Sequence, residues 1–389
     1  MDKLMDKNNK GAFKFIISSQ YFLYFGVLGI FLPYFNLYCY HLGFSGFQIG
    51  VLSALRSAVM VLFSLIWGGL ADRFQIRKPI YILCTFTSTL IWIFYLFTDN
   101  FYLMLIITVC YTIFYGPVIS FMEAFSMDIL GREKKSYGRV RAWGTIAFIM
   151  IVTVFGKIID LYSVKIILLP IFIGSLAQAL FALRIPNITM VRKNSFIAGA
   201  KSLFKKRVVI FLICAFLMLM SHGTYYGFFS IHLETLGYGK VFIGMSWALA
   251  SVAEIVVMIS SDKIFRRFSI QNVLLFSFMV AALRWFLLCW AESPAVILIS
   301  QILHAVTYGT FHIASILYID LLSPDEAKTT GQVINNAVSY GLGMMAGFFF
   351  NGYLYEHLSS FVLFAISSLI ALGGGVLLSA FYHKSGVQK

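Results

Sequence analysis

The sequence predicts an all-α membrane protein with about twelve transmembrane helices, arranged as two parallel six-helix repeats. Three observations support this fold class. Of the 389 residues, 60% are hydrophobic and only 12% are charged, whereas soluble domains carry about 25% charged residues. Apolar runs of about 20 residues, the length needed to cross a bilayer, recur along the whole chain. The two halves of the chain also share a spaced residue pattern, so the fold has an internal repeat.

Twelve apolar runs define the predicted helices. They span residues 13–38, 47–70, 79–98, 101–126, 139–159 and 164–184 in the first set, and 208–231, 241–261, 272–291, 294–319, 331–354 and 359–382 in the second. The only long polar connection lies between the two sets. The predicted domains are therefore an N-terminal six-helix bundle (1–184), a cytoplasmic linker (185–207) and a C-terminal six-helix bundle (208–389).

The repeat is visible in one loop of each half. A shift of 194 residues aligns Leu42–Gly50 (LGFSGFQIG) with Leu236–Gly244 (LGYGKVFIG), and it superposes Arg73 on Arg267. Because each half contains an even number of helices, both copies have the same orientation in the membrane. Such parallel repeats are related by an axis along the membrane normal. The pattern therefore predicts two bundles that face a central path.

The basic residues are distributed unevenly between the two sides of the predicted membrane domain. Alternate loops place 24 Lys and Arg on the side of both termini and three on the other, namely Lys157, Lys165 and Lys240. Cytoplasmic loops collect Lys and Arg, so we expect a multi-pass plasma (inner) membrane protein with both termini in the cytoplasm. The net charge of +14 follows from this topology, and we expect no nucleic-acid partner. Metal-ligand and paired-cysteine spacings do not occur in the sequence, so we expect no metal and no cofactor.

Two charged residues interrupt apolar segments on either side of the turn Gly131–Lys135. Glu123 precedes Arg132 by nine residues and Arg141 follows it by nine, so two helical arms would place both side chains at the same depth. An unpaired charge within a membrane helix costs roughly 2.5 to 3.5 kcal/mol. We therefore expect the two side chains to pair with each other or with a ligand.

The spacing of these charges resembles that of lactose permease, an oligosaccharide:proton symporter of the major facilitator superfamily. There the corresponding Glu and Arg hold the sugar, so the resemblance implies that Glu123 and Arg141 bind the solute. The stretch Tyr137–Phe148 (YGRVRAWGTIAF) and three stretches of the second half, SHGTYYGFFSIHLETLGYG, WALASVAEIVVM and QILHAVTYGTFH, are similar to the phenylpropionate permease-like branch. The resemblance covers nearly the whole chain and implies a major facilitator fold.

The loop after the second helix, GGLADRFQIRKP, is similar to the superfamily motif GxLxDRxGxRK. In the family this loop forms a cytoplasmic gate, so the resemblance assigns gating to Gly68, Asp72, Arg73, Arg77 and Lys78. Gln75 occupies the usual glycine position, so the turn must form without the backbone freedom of glycine. The alternative is that a basic loop simply obeys the positive-inside rule.

Three ionisable or polar side chains fall near the middle of predicted helices in the second half: Glu254, Arg284 and His304. By resemblance to lactose permease they form the proton-coupling and substrate network. A buried carboxylate can take up or release a proton when a neighbouring cation moves. Lactose permease has a second carboxylate three residues after its histidine, but here that residue is Thr307, which leaves Glu254 as the proton carrier. The alternative is a static pair of Glu254 and Arg284.

The roles of three further residues stay open in the sequence. Arg56 either meets a substrate carboxylate or pairs with Glu123. Tyr225 and Phe148 belong to aromatic clusters that either form a wall for a sugar ring or an aryl group, or pack against lipid. We include all three among the candidate substrate-binding residues.

These features predict a proton-coupled symporter that imports a small polar solute, a sugar such as a galactoside, by alternating access. An aryl-acid (phenylpropionate-like) or nucleoside importer of the same fold is the alternative within this class. A non-transporting membrane sensor or a polytopic enzyme is the alternative from another class. An enzyme would need a nucleophile–base or metal constellation, which the sequence lacks, so we expect no enzymatic activity. The expected partners are the solute, protons and the lipid bilayer, and we expect a monomer.

Overall fold

The computed structural model describes residues 7–131, 136–186, 203 and 205–384. Regular structure in these residues is helical throughout. Within them, twelve helical segments are long and apolar enough to cross a membrane, and each overlaps one predicted helix. The predicted all-α fold of about twelve spanning helices is therefore confirmed.

Several spans consist of two helices, so sixteen helices are numbered. In chain order they are α1 (Lys7–His41), α2 (Gly46–Phe74), α3 (Arg77–Trp92), α4 (Phe101–Tyr115), α5 (Val118–Leu130), α6 (Tyr137–Leu161), α7 (Leu168–Ala182), α8 (Lys206–Ser221), α9 (Gly223–Thr235), α10 (Lys240–Arg267), α11 (Ile270–Leu288), α12 (Pro294–His304), α13 (Phe311–Leu322), α14 (Lys328–Asn336), α15 (Met344–Tyr355) and α16 (Ser360–Lys384).

Some of the spans are interrupted, including those that carry Glu123 and His304. Pro117 lies between α4 and α5, where its missing N–H removes a backbone hydrogen bond. His222 separates α8 from α9. Two π-helical segments, Ala305–Thr310 and Ala337–Gly343, interrupt the spans that begin with α12 and α14. Segments of this kind occur mostly as single-turn bulges, frequently at functional sites.

Two compact units are formed by the described residues. Unit 1 comprises residues 7–42, 59–131, 136–186 and Gly239–Gly244, and unit 2 comprises Gly43–Ala58, 203, 205–238 and 245–384. In unit 1, α1 packs mainly against α6 and α7; in unit 2, α16 packs mainly against α8 and α11. The predicted domain boundaries stay a prediction. Residues 187–202 and 204 of the predicted linker, and 132–135 of the charged turn, lie outside the described residues.

The glycines of the repeated pattern lie at close helix crossings. A Cβ atom on Gly50 would lie 2.6 Å from the Cα atom of Gly352 within unit 2, and one on Gly244 would lie 2.5 Å from the carbonyl oxygen of Val152 within unit 1. Neither distance is compatible with a side chain. The paired glycines that reveal the repeat therefore have the same physical role in both copies, which is close backbone approach.

A carboxylate lies at the amino end of each of these two repeated helices. In unit 1, Asp160 accepts hydrogen bonds from the backbone amides of Lys240 (2.8 Å) and Val241 (3.1 Å) at the start of α10. In unit 2, Glu356 accepts one from the amide of Phe47 (3.2 Å) at the start of α2. Because the first amides of a helix lack intrahelical partners and carry partial positive charge, an anion stabilises them.

Candidate functional site

In unit 1 the predicted charges Glu123 and Arg141 lie on α5 and α6. The guanidinium carbon of Arg141 lies 4.1 Å from the ring centroid of Phe25 and 5.5 Å from that of Tyr21, both on α1. The Glu123 side chain is exposed and within electrostatic range of Arg141. Among the described residues no ion pair of 4.0 Å or less joins the two. Arg141 is therefore stacked on aromatic rings, a favourable cation–π arrangement, while the Glu123 carboxylate is accessible.

Three hydroxyl groups connect the helices around this pair. Ser126 on α5 donates a hydrogen bond to the hydroxyl of Tyr21 (3.2 Å). Tyr21 in turn lies 3.5 Å from the hydroxyl of Tyr137, which also contacts Arg141. Tyr21 and Tyr137 were not predicted as site residues. Tyr137 lies one helical turn before Arg141, and this i, i+4 spacing is the signal that could have identified it.

The other predicted binding residues occupy different surroundings. Phe148 is only 6% exposed, and its backbone packs against Gly29 of α1. Tyr225 belongs to unit 2, where its side chain is fully buried. Arg56 lies in the part of α2 that belongs to unit 2.

In unit 2 the three predicted coupling residues form a continuous chain of contacts. Nε2 of His304 lies 2.8 Å from a carboxylate oxygen of Glu254, and Nδ1 of His304 lies 2.7 Å from Nη1 of Arg284. Arginine has only donors, so Nδ1 must be the acceptor and Nε2 carries the hydrogen that is donated to Glu254. His304 therefore links the carboxylate to the guanidinium.

The Arg284 side chain is fully buried, and it donates to three oxygen acceptors in addition to His304. Nε donates to the carbonyl oxygen of Ser300 (2.8 Å), Nη1 to the hydroxyl of Thr307 (3.2 Å) and Nη2 to the amide oxygen of Gln301 (3.5 Å). The guanidinium carbon also lies 4.4 Å from the ring centroids of both Tyr225 and Trp285. A buried charge is tolerated when hydrogen bonds and counter-charges compensate it, and here the surroundings of Arg284 supply both.

Further aromatic and histidine rings surround this network. The ring of Tyr308 stacks on that of His304 at 5.2 Å, and Nδ1 of His312 lies 2.6 Å from the hydroxyl of Tyr340. His222 contacts the carbonyl oxygen of Met218 through Nδ1. These residues were missed as a group, although the i, i+4, i+8 spacing of His304, Tyr308 and His312 places all three on one helix face.

The predicted gate loop forms a turn that the sequence alone did not explain. Gln75 adopts a backbone φ of 58°, a left-handed conformation that is uncommon outside glycine. Its side-chain amide donates a hydrogen bond to the carbonyl oxygen of Asp72 (2.6 Å), which stabilises the turn. Arg77 pairs with Asp72 (3.7 Å) and more closely with Asp128 on α5 (2.5 Å). Asp128 was not predicted to belong to this loop.

The remaining residues of the predicted gate loop are Arg73, Lys78 and Gly68. The guanidinium carbon of Arg73 lies 5.5 Å from the ring centroid of Phe74, and Lys78 lies in the first turn of α3. A Cβ atom on Gly68 would meet no heavy atom within 4 Å. Within the part of the chain that the structure describes, no group of three or more His, Cys, Asp or Glu is arranged to hold a metal ion.

In the part of the chain that the structure describes, twelve helices long and apolar enough to cross a membrane define a polytopic membrane protein, and its relatives identify it as a transporter. The chain belongs to the MFS_1 like family of the major facilitator superfamily, whose sequence profile matches residues 15–366. The predicted superfamily is thereby confirmed.

Individual relatives of this chain transport different solutes according to their names. It is 28% identical to the probable 3-phenylpropionic acid transporter of Escherichia coli over 90% of this chain and 93% of that protein. It is 23% identical to the maltose permease of Geobacillus stearothermophilus, over 97% and 98%. The crystal structure of the nucleoside transporter NupG superposes with a TM-score of 0.83 at 19% identity, covering 97% of this chain and all of that one. The last match concerns the fold alone.

Proposed function

We propose that this protein is a proton-coupled symporter that imports a small polyhydroxylated solute, a sugar such as a galactoside, by alternating access. It would work in the plasma membrane with both termini in the cytoplasm. The proposal rests on the two charged residues of unit 1. The Glu123 side chain is accessible and lies within electrostatic range of Arg141, whose guanidinium stacks on an aromatic ring, but the two, both among the described residues, do not form an ion pair.

The chemistry of this pair suits a neutral solute with several hydroxyl groups. A carboxylate accepts hydrogen bonds from hydroxyls, and an arginine donates to hydroxyl oxygens from a planar fork. Phe25 and Tyr21 hold the guanidinium plane, so little side-chain freedom is lost when a ligand binds. Glu123 would repel a solute that carries its own carboxylate, which favours a sugar over an acid at this position.

Coupling is assigned to the chain of Glu254, His304 and Arg284 in unit 2. When Glu254 is ionised, it accepts the Nε2 hydrogen of His304. A proton bound by Glu254 weakens that contact, because the neutral acid no longer attracts the linked histidine and arginine electrostatically. Protonation thus changes the stability of one arrangement of these helices relative to another, which is what a coupling ion must do.

A second candidate, an aryl-acid importer, is supported by the 28% identity to the probable 3-phenylpropionic acid transporter. In that case Arg141 or Arg56 would bind the substrate carboxylate. A nucleoside importer is the third candidate, since nucleosides also present ribose hydroxyls to such a pair.

The test is uptake of a galactoside, a nucleoside and 3-phenylpropionate into vesicles that contain the purified protein. Each solute is measured with and without an imposed pH gradient, acid on the outside. Accumulation of the galactoside that collapses with a protonophore supports the proposal. Accumulation of phenylpropionate alone would establish the aryl-acid candidate instead. Uptake that does not depend on the pH gradient would show that transport is not coupled to protons.

A further inference from the structure

A cavity of about 420 Å³ lies on the surface of unit 1 where α1, α6 and α7 meet. Its volume is in the range of small-molecule sites, roughly 300 to 1,000 Å³. The residues that line it are Lys14, Phe15, Ser18, Ser19, Phe22 and Leu23 of α1, Trp143 of α6 and Phe181 of α7. None of them belongs to the charge clusters described above.

The groove follows from the sequence of α1. Lys14, Ser18 and Phe22 form one i, i+4 row, and Phe15, Ser19 and Leu23 form the next, so all six lie on one helix face. The two serines are small and lie between larger side chains, which leaves a depression. Ser19 donates its hydroxyl to the carbonyl oxygen of Phe15 (2.9 Å). That hydroxyl is satisfied within its own helix, so the groove presents a mainly apolar wall.

One cation lines this groove, and a second lies beside one of its lining residues. Lys14 lines it directly, and the guanidinium carbon of Arg184 lies 5.7 Å from the ring of Phe181, another lining residue. Six spans separate the start of α1 from the end of α7, so these two helix ends lie on the same side of the membrane. The groove therefore combines an apolar channel with a positively charged end.

This combination does not match the proposed transported solute. A polar solute needs several convergent polar groups to orient it, and this lining offers few beyond Lys14. Trp143 follows Arg141 by two residues, and two residues of an α-helix turn the side chain by about 200°. Trp143, which lines the groove, and Arg141 therefore lie on opposite faces of α6.

We propose that this groove binds an acidic glycerophospholipid such as phosphatidylglycerol. One acyl chain lies in the apolar channel, and the lipid phosphate is held by Lys14 and Arg184. Basic pockets between transmembrane helices bind anionic head groups in this way, and each Lys or Arg near an anionic membrane surface contributes about 1 kcal/mol. The site is independent of the transported solute.

The experiment measures lipid retained by the detergent-purified protein in native mass spectrometry. Phosphatidylglycerol and phosphatidylcholine with identical acyl chains are added at equal concentration. We expect the wild-type protein to retain phosphatidylglycerol preferentially. Lys14→Gln and Arg184→Gln should each lower its retention roughly fivefold, the ratio that about 1 kcal/mol represents, and the double variant should lose the preference.

Matched controls separate the site from general charge and from general lipid coating. Lys157→Gln removes an exposed cation from the other end of α6, and it should leave the preference intact. Ser18→Phe fills the groove and should lower retention of both lipids, whereas Thr153→Phe adds the same ring to an exposed position of α6 and should not. Equal retention of the two lipids by the wild type, or an unchanged preference in the Lys14 and Arg184 variants, would overturn the proposal. Full retention by Ser18→Phe would also overturn it.

Discussion

The charge clusters of the two units differ in how much hydrogen-bonding capacity they leave open. In unit 1, Arg141 stacks on the rings of Phe25 and Tyr21, and the carboxylate of Glu123 is accessible. In unit 2, Arg284 is fully buried, its donors are directed at protein acceptors, and His304 links it to Glu254. The first cluster can therefore accept a ligand without losing an internal bond, whereas in the second Arg284 and His304 are already bonded to other protein groups.

We propose that this difference reflects a division of labour between binding and coupling. A site that binds solute reversibly must have unused donors and acceptors, because each internal bond that a ligand displaces reduces affinity. A site that responds to protons must instead change its internal bonds when one proton is added. Unit 1 has the first property and unit 2 the second. The following predictions test this assignment, from the largest expected effect to the smallest.

The largest effect is expected at the open cluster of unit 1. Arg141→Lys and Glu123→Gln should each abolish solute binding, since lysine cannot replace the planar fork of arginine and an amide cannot replace the carboxylate as a charged acceptor. Substrate protection in a thermal unfolding assay measures binding. Normal membrane insertion of both variants is the control. Substrate protection that persists in both variants would show that Glu123 and Arg141 do not bind the solute.

A separation of two activities is expected at the Glu254–His304–Arg284 cluster of unit 2. Glu254→Gln fixes this position in a neutral form, so the protein should exchange solute for solute across the membrane but lose accumulation driven by pH. Exchange requires only the loaded carrier to reorient, whereas net uptake requires the proton to leave.

The static-pair alternative makes a different prediction for the same variant. Removing one partner of a buried charge pair costs about 3 to 5 kcal/mol, so protein yield and both activities should fall together. Exchange and pH-driven uptake are measured on the same vesicles, and an equal loss of both would contradict the coupling role of Glu254.

Two tyrosine variants, one in each unit, test the same difference between the clusters through smaller effects. Tyr21→Phe removes the hydroxyl that Ser126 donates to in unit 1, and it should weaken solute affinity about three- to tenfold, as expected for a hydrogen bond worth roughly 1 kcal/mol. Tyr225→Phe removes the hydroxyl that donates to Gln301 in unit 2 (2.9 Å), and it should instead reduce accumulation with little change in affinity. The same effect on affinity from both variants would argue against separate roles.

The smallest effect is expected at a carboxylate outside both clusters. Hydrogen bonds from Ser45 and from the amide of Phe47 lower the pKa of Glu356 below its ordinary value. A lowered pKa in the folded state means that the contact stabilises the fold above the ordinary glutamate pKa and is lost as pH falls through the lowered value. Wild type and Glu356→Gln should therefore differ slightly in thermal stability at neutral pH and converge in strong acid. A constant difference across this range would show that the charge is not responsible.

The sequence predicted the parts of this molecule that depend on composition and spacing. All twelve spans were located because a bilayer requires long apolar runs, and Glu254, Arg284 and His304 were grouped by their resemblance to residues of lactose permease. The paired glycines Gly50 and Gly244 also indicated the internal repeat, but their close approach to neighbouring helices is visible only in the structure. These predictions rest on residue types and on their spacing along the chain.

Other features depend on three-dimensional detail that spacing does not encode. That His304 links Glu254 to Arg284 depends on rotamers and helix rotation. Tyr21 joins the unit 1 cluster only because α1 packs against α6. The left-handed Gln75 is stabilised by its own side-chain bond to Asp72, which contradicts the usual preference for glycine at such a position. The first two follow from packing between segments that are distant in sequence, whereas the turn at Gln75 depends on a local side-chain bond to a residue three positions earlier.

The two π-helical segments have a consequence for the positions of the aromatic side chains. A π turn contains one residue more than the α-helical turn it replaces, and one residue corresponds to a rotation of about 100° around the helix axis. The residues before Ala305–Thr310 and those after it are therefore turned relative to each other, although both flanking helices are regular. Tyr308 and Tyr340 lie in the two segments with ring centroids 5.9 Å apart. If either π turn moved along its helix by one residue, that residue would rotate about the helix axis relative to its neighbours. Such a shift would separate the two rings while the helix stays wound.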